Sequence, residues 1–188
     1  MYRMGVEEVE AIRNIVKNGQ LFRYMDGSAC ERFENRWAEH LGTGHARMTA
    51  SGTNALVAAL KGLRIGPGDE VLVPACTYMA SAISVLAVGA IPVVVDIDET
   101  TTMDPEAAEE AIGPHTKVIM PVDMWGLSCA MDRIMEIARA HDLLVVEDAC
   151  QAVGGGLNGQ MLGTFGDVGA FSFNYYKNIS CGEGGAVV

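Results

Sequence analysis

Apolar positions along this chain change their period near residue 45. Ahead of that point Val9, Ile12 and Ile15-Val16 recur at helical spacing, as do Phe33, Trp37 and Leu41. These predict helices over 7–18 and 30–42, the second ended by Gly42 and Gly44. The stretch 19–29 between them has no period and predicts an ordered loop. From residue 45 onward short apolar runs alternate with helical segments. Strands are predicted at 45–50, 70–74, 91–96, 117–121, 143–147 and 167–173, with a last one at 185–188. Helices are predicted at 53–63, 78–88 and 131–141, with a short one after Asp104-Pro105. Strands apolar on both faces, joined by helical crossovers, predict an α/β domain with a mostly parallel sheet flanked by helices. The organisation expected is an N-terminal helical segment over 1–44 and a large domain over 45–188.

Composition narrows the classes. With 188 residues, 49% of them hydrophobic, the chain can bury a real core. A net charge of −11 argues against nucleic acid and anionic membranes as partners. The longest apolar stretch, near Met79 to Val95, is broken by Gly89 and Pro92 and does not read as a membrane span. Five cysteines without a CxxC pair fit free thiols in a reducing compartment, hence a cytoplasmic location. Four histidines without ligand spacing give no metal site. Met1 to Glu8 leads straight into an acidic amphipathic helix, so no signal peptide is expected. The last residues, Gly185-Ala186-Val187-Val188, read as a strand with nothing after it. The chain is therefore expected to be the front portion of a longer protein.

Parallel sheets bind ligands at the carboxyl ends of their strands, so the residues after each strand carry the chemistry. Ser51-Gly52-Thr53 opens a helix, where free N–H groups and hydroxyls make an anion site; an ordinary N-cap is the alternative. The lack of a Walker lysine and of GxGxxG argues against ATP and NAD. Tyr78 follows the next strand, as a ring to stack on a flat ligand or as a core tyrosine. Asp148 ends an apolar strand and needs a cationic or donor partner there, although it could also cap the following turn. Gln151 lies one turn on. Ser172 stands between two phenylalanines, and Lys177 follows five residues later. Lys177 is the only Lys or Arg after Arg139. Alone, it reads as a surface lysine or as a desolvated amine with a lowered pKa. Together the parts are a phosphate cradle, an aromatic face, a carboxylate, a hydroxyl and an amine, the set that pyridoxal 5′-phosphate requires.

At these residues the chain resembles the DegT/DnrJ/EryC1/StrS aminotransferases. The resemblance is carried by Ser51 to Leu56, Gly66 to Val71 with Pro74, Gly89 to Asp96, Glu147 to Ala152, and Ser172-Phe173 through Lys177 to Gly185. It implies the aspartate-aminotransferase fold (fold type I) and a pyridoxal-phosphate-binding large domain, without the small C-terminal domain. It makes Lys177 the Schiff-base lysine and Asp148 the partner of the pyridine nitrogen. Gln151 would lie near the ring hydroxyl, Gly52, Thr53 and Ser172 on the phosphate, and Tyr78 over the ring. It also implies a homodimer with shared active sites. The N-terminal loop would then help form the substrate pocket, with Arg23 and Tyr24 as candidates to grip the acceptor.

The activity this implies is transfer of an amino group from glutamate or glutamine to a keto sugar, nucleotide-linked by preference. An unlinked keto sugar acid or a cyclitol is the alternative acceptor. Three further readings stand beside it: another pyridoxal-phosphate reaction on the same fold, a cofactor-binding regulatory protein without turnover, and a nucleotide-binding α/β domain.

Overall fold

The computed structural model describes residues 4–188, so the start of the chain at Met1 to Arg3, on which part of the signal-peptide reading rests, lies outside it. The described chain separates into a unit up to Ala46 and a unit over Arg47–Val188.

The first unit holds two helices, α1 (Val6–Lys17) and α2 (Ala29–Leu41). Glu8 closes the start of α1 by accepting the Gly5 N–H at 2.6 Å. Ser28 caps α2 by accepting the Glu31 N–H at 3.1 Å, and Gly42, at φ 72°, ends it in the left-handed conformation that glycine takes without strain. The predicted apolar face of α2 is real: Trp37 and Leu41 are buried, and Phe33 stacks on Trp37 with centroids 5.8 Å apart.

The second unit runs β1 (Arg47–Thr49), α3 (Gly52–Gly62), β2 (Glu70–Pro74), α4 (Ala80–Ala87), β3 (Ile91–Val95), α5 (Pro105–Glu110) and β4 (Thr116–Ile119). A 3-10 turn (Met124–Gly126), α6 (Met131–Ala140), β5 (Leu144–Asp148), a hairpin of β6 (Gly156–Leu157) and β7 (Gln160–Met161), β8 (Val168–Ser172) and β9 (Gly185–Val187) complete it. The main sheet has seven strands in the order β1-β9-β8-β5-β4-β2-β3. Only β9 runs against its neighbours, so β1, β8, β5, β4, β2 and β3 all end on the same edge.

Both faces of this sheet are covered, which is why its strands read as unbroken apolar runs. Val71 and Val73 of β2 pack with Leu56 and Leu60 of α3 and Val85 of α4. Leu72 points the other way, with Ile119, Val145 and the α6 residues Ile134 and Ile137. Each of these fully buried side chains contributes about 1.5–3 kcal/mol. The hairpin lies outside the predicted strands. Its Asn158-Gly159 turn has both residues at positive φ, 51° and 84°, the pairing a two-residue hairpin needs. The first sheet strand is shorter than predicted, three residues instead of six, because only Arg47 to Thr49 find partners on β9. The helix predicted from residue 78 starts at Ala80, which leaves Tyr78 in the turn before it.

Close backbone approach fixes the β5–β8 region. Glu147, fully buried, accepts the N–H groups of Gly163, Phe165 and Gly166 at 2.8, 2.5 and 2.6 Å. That loop lies so near β8 that a Cβ on Gly169 would stand 2.0 Å from the Gly163 carbonyl oxygen. Gly169→Ala is therefore expected to destabilise the protein by about 3 kcal/mol or more, read as a lowered urea midpoint. An unchanged midpoint would contradict this packing.

Candidate active site

The strand edge gathers the expected residues. Ser51 caps α3, accepting the Asn54 N–H at 3.1 Å, and Gly52 and Thr53 form the first turn, whose N–H groups have no acceptor within the helix. Gly52 is needed there. A Cβ on it would lie 2.8 Å from both the Cys150 Sγ and the Ser172 Cβ. The helix start, the end of β5 and the end of β8 thus converge on Gly52, bringing Thr53 and Ser172 to one place. Gly185 of β9 presses on the same turn, with its ideal Cβ 2.5 Å from the Ser51 carbonyl.

Asp148 ends β5 and is 5% exposed. Its Oδ2 accepts the Ser81 hydroxyl at 2.7 Å and its Oδ1 the Cys150 N–H at 3.2 Å. The Ser81 hydroxyl lies 2.8 Å from that of Thr77. Among the described ion pairs none involves Asp148. Cys150 marks the relation between Asp148 and Lys177. Burial pushes its thiol well up, Asp148 adds to this, and Lys177 opposes it.

Lys177 lies in the connection from β8 to β9, half-buried, with its N–H on the Asn174 carbonyl at 2.9 Å. Asn174 organises this turn: its Oδ1 accepts the Tyr176 N–H at 3.1 Å and its Nδ2 donates to Glu183 at 2.8 Å. Asn178 ties the following residues to the Val153 carbonyl at 2.7 Å. Lys177 and Gln151 line one cavity of about 520 Å³, together with Trp125, Tyr176 and Asn178. Asp148, Ser172, Gly52, Thr53 and Tyr78 do not line that cavity. Gly52, Ser172 and Asp148 adjoin Cys150 instead, while Tyr78 is exposed in the turn after β2. Arg23 and Tyr24 belong to the N-terminal unit, where Arg23 pairs with the buried Glu34 and lies over the Tyr24 ring, 5.2 Å from its centroid.

Three side chains were missed by sequence reasoning. Ser81 sits inside the apolar α4, 67 residues from Asp148, and nothing local marks it. Trp125 and Asp123 follow β4, where the strand-end rule points. Asp123 is 1% exposed; its Oδ1 accepts the Cys129 N–H at 3.2 Å and its Oδ2 has no partner. Burial, with the charges of Glu147 and Asp148 adding, pushes its carboxyl up to about 7. Burial and Asp123 in turn push the Cys129 thiol up to about 12, so it stays neutral and bonds the Val122 carbonyl at 3.3 Å.

Known proteins resemble this chain. The family model described as "DegT/DnrJ/EryC1/StrS aminotransferase family" matches residues 3–188. GDP-perosamine synthase of Caulobacter vibrioides is 49% identical over 82% of this chain and 42% of its own length. The dTDP-3-amino-3,4,6-trideoxy-alpha-D-glucose transaminase of Streptomyces venezuelae is 46% identical over 98% of this chain and 48% of its own. The PLP form of the sugar aminotransferase Spr1654 from Streptococcus pneumoniae superposes with a TM-score of 0.93 at 33% identity, covering 98% of this chain and 50% of that one. The chain thus spans about half the length of the curated relatives it matches.

Asp123 generates a pH prediction. A folded pKa near 7 against an unfolded value near 3.8 means the native state holds the proton longer. Its contribution to stability is full below about pH 4 and is lost as pH rises through about 7. Asp123→Asn keeps the Cys129 bond and removes this loss. Its stability advantage over the wild type is expected to grow between pH 5 and pH 8, by on the order of 3 kcal/mol at most, in urea titrations at each pH. A gap independent of pH would show that Asp123 does not hold its proton.

Proposed function

Because this chain belongs to the DegT/DnrJ/EryC1/StrS aminotransferase family, we propose that it is the pyridoxal-5′-phosphate-binding part of an aminotransferase. It would move an amino group from glutamate or glutamine to a keto sugar, nucleotide-linked by preference. The observation that carries this reading is Asp148: a carboxylate 5% exposed, at a strand end, held only by the neutral donors Ser81 and Cys150. Such a charge recovers its desolvation cost from a cationic partner. A protonated pyridine nitrogen is one.

The other residues fit the same group. Gly52 and Thr53 offer N–H groups at the start of α3, and Ser172 a hydroxyl, to the phosphate. The exposed Tyr78 ring would be free to lie against a flat ring, and Gln151, which lines the cavity, would offer its amide to the ring hydroxyl. When bound, pyridoxal phosphate supplies an electron sink for charge that develops at the substrate carbon. Asp148 keeps the ring nitrogen protonated. Lys177 holds the cofactor through its amine. With that amine freed, Lys177 would be the base and acid that moves a proton at the donor α-carbon. In the second half the same lysine works in the opposite direction on the acceptor.

A homodimer and a cytoplasmic location belong to the same reading. On the α4 side of the sheet, edge strand β3 and helix α4 leave Val94, Ile83 and Leu86 exposed, apolar surface suited to a second copy. No helix among the described residues is long and apolar enough to cross a membrane.

The test uses the whole protein with pyridoxal phosphate. Glutamate or glutamine should convert its visible absorbance band to the amine form of the cofactor, and a nucleotide-linked keto sugar should restore it. Lys177→Ala is expected to lose the band that borohydride fixes, together with at least about 100-fold in turnover. Retained turnover would remove Lys177 from its role. Asp148→Asn is expected to bind cofactor but to slow the donor half-reaction by about 100-fold or more. A wild-type rate in this variant would leave the buried carboxylate without the proposed task.

A further inference from the structure

Trp125 sits at φ 53° and ψ 24°, in the left-handed region, followed by Gly126 at φ 84°. For a bulky residue this backbone is strained and persists only where its surroundings impose it. Here they do. The Trp125 N–H donates to the Gln151 Oε1 at 3.3 Å, and the Leu127 N–H to the Met124 carbonyl at 2.9 Å. Asp123, just before the turn, is anchored to the Cys129 N–H. The result is an indole 68% exposed, where burial would have contributed to stability. The conformation therefore costs stability twice, and what it achieves is an aromatic face on the wall of the Lys177 cavity. Tyr176, 87% exposed, stands on the same cavity beside the lysine.

The cavity's chemistry indicates what lies on that face. Lys177 is the only charged residue in its lining, and Gln151 and Asn178 add amides. Aromatic rings with amides and no excess charge suit a neutral polyhydroxylated ring, whose C–H face packs on an indole and whose hydroxyls bond to amides. We infer that Trp125 is the specificity-determining platform for the sugar ring of the acceptor, and that Gln151 positions it. This rests on the aminotransferase reading above. It adds a residue to that reading and gives Gln151 a second task, linking the cofactor pocket to the sugar wall.

The experiment follows the two half-reactions separately by cofactor absorbance in the wild type, Trp125→Ala and Trp125→Phe of the whole protein. The donor probe is glutamate, with glutamine as its substitute. The sugar probes are GDP-perosamine and dTDP-3-amino-3,4,6-trideoxy-α-D-glucose, which react in reverse. Trp125→Ala should raise the half-saturating sugar concentration at least tenfold and leave the donor half-reaction within twofold. Trp125→Phe should recover most of the sugar affinity. Sugar binding should also quench indole fluorescence more in the wild type than in Trp125→Phe, the difference reporting Trp125 because Trp37 is buried. Unchanged sugar saturation in Trp125→Ala, an equal loss in both half-reactions, or no saturation by either sugar in a wild type that reacts with donor overturns the platform alone. A folded wild type that reacts with neither donor overturns the aminotransferase reading and the platform with it.

Discussion

Three carboxylates meet in the interior where β4 and β5 end, and the site depends on how each is kept there. Unpaired charge in such a place is costly, and neighbours of like sign raise the cost. Glu147 is surrounded by three backbone N–H groups, which hold the loop 163–166 against the sheet. Asp123 has one N–H bond and an unpartnered oxygen, and takes up a proton near neutrality instead. Asp148 receives one hydroxyl and one N–H, too little to offset a buried charge fully. The first acid is a brace and the second is neutralised. Burial still pushes the Glu147 carboxyl up in spite of its three N–H bonds, and Asp148 is the acid that ends its strand at the ligand-binding edge.

The sheet brings the rest of the site to that acid. Because every strand except β9 runs the same way, the residues after β1, β2, β4, β5 and β8 share an edge although they span more than a hundred positions in sequence. Backbone contact then sets the fine placement. Gly52 lets the start of α3 touch Cys150 and Ser172, and Gly185 on the reversed strand closes on the same turn from the other side. The anion cradle is therefore clamped between β5, β8 and β9 and does not sit on a free loop.

Much of this was legible in the sequence because the periods are strong. Buried strands such as Val71-Leu72-Val73 and the Asp104-Pro105 helix start mark their elements within one or two residues. Gly52, Asp148, Gln151 and Lys177 stand where strand ends and motif spacing point. What stayed hidden depends on distance in sequence or on backbone conformation. Ser81 looks like any small residue of an apolar helix until the fold lays it against Asp148. Asp123 looks like a surface acid until β5 supplies two neighbouring charges. Trp125 reads as core by type, and only its left-handed backbone turns it outward. Tyr78 reads as the start of a helix, but α4 begins two residues later, which frees the ring.

The charge balance of the cavity limits what this part of the protein can recognise. Lys177 is the single cation in the lining, and the proposed chemistry engages it with the cofactor. The walls that remain are aromatic and amide. They suit a sugar ring but offer nothing to neutralise a nucleotide diphosphate, in a chain whose net charge is −11. Selection of the sugar and selection of its nucleotide are thus separable problems. The first is met by side chains on the loops after β4 and β8. The second needs cations from outside that lining. A protein built this way changes its sugar by altering residues around 125 and 176, and leaves the buried acids and the lysine untouched.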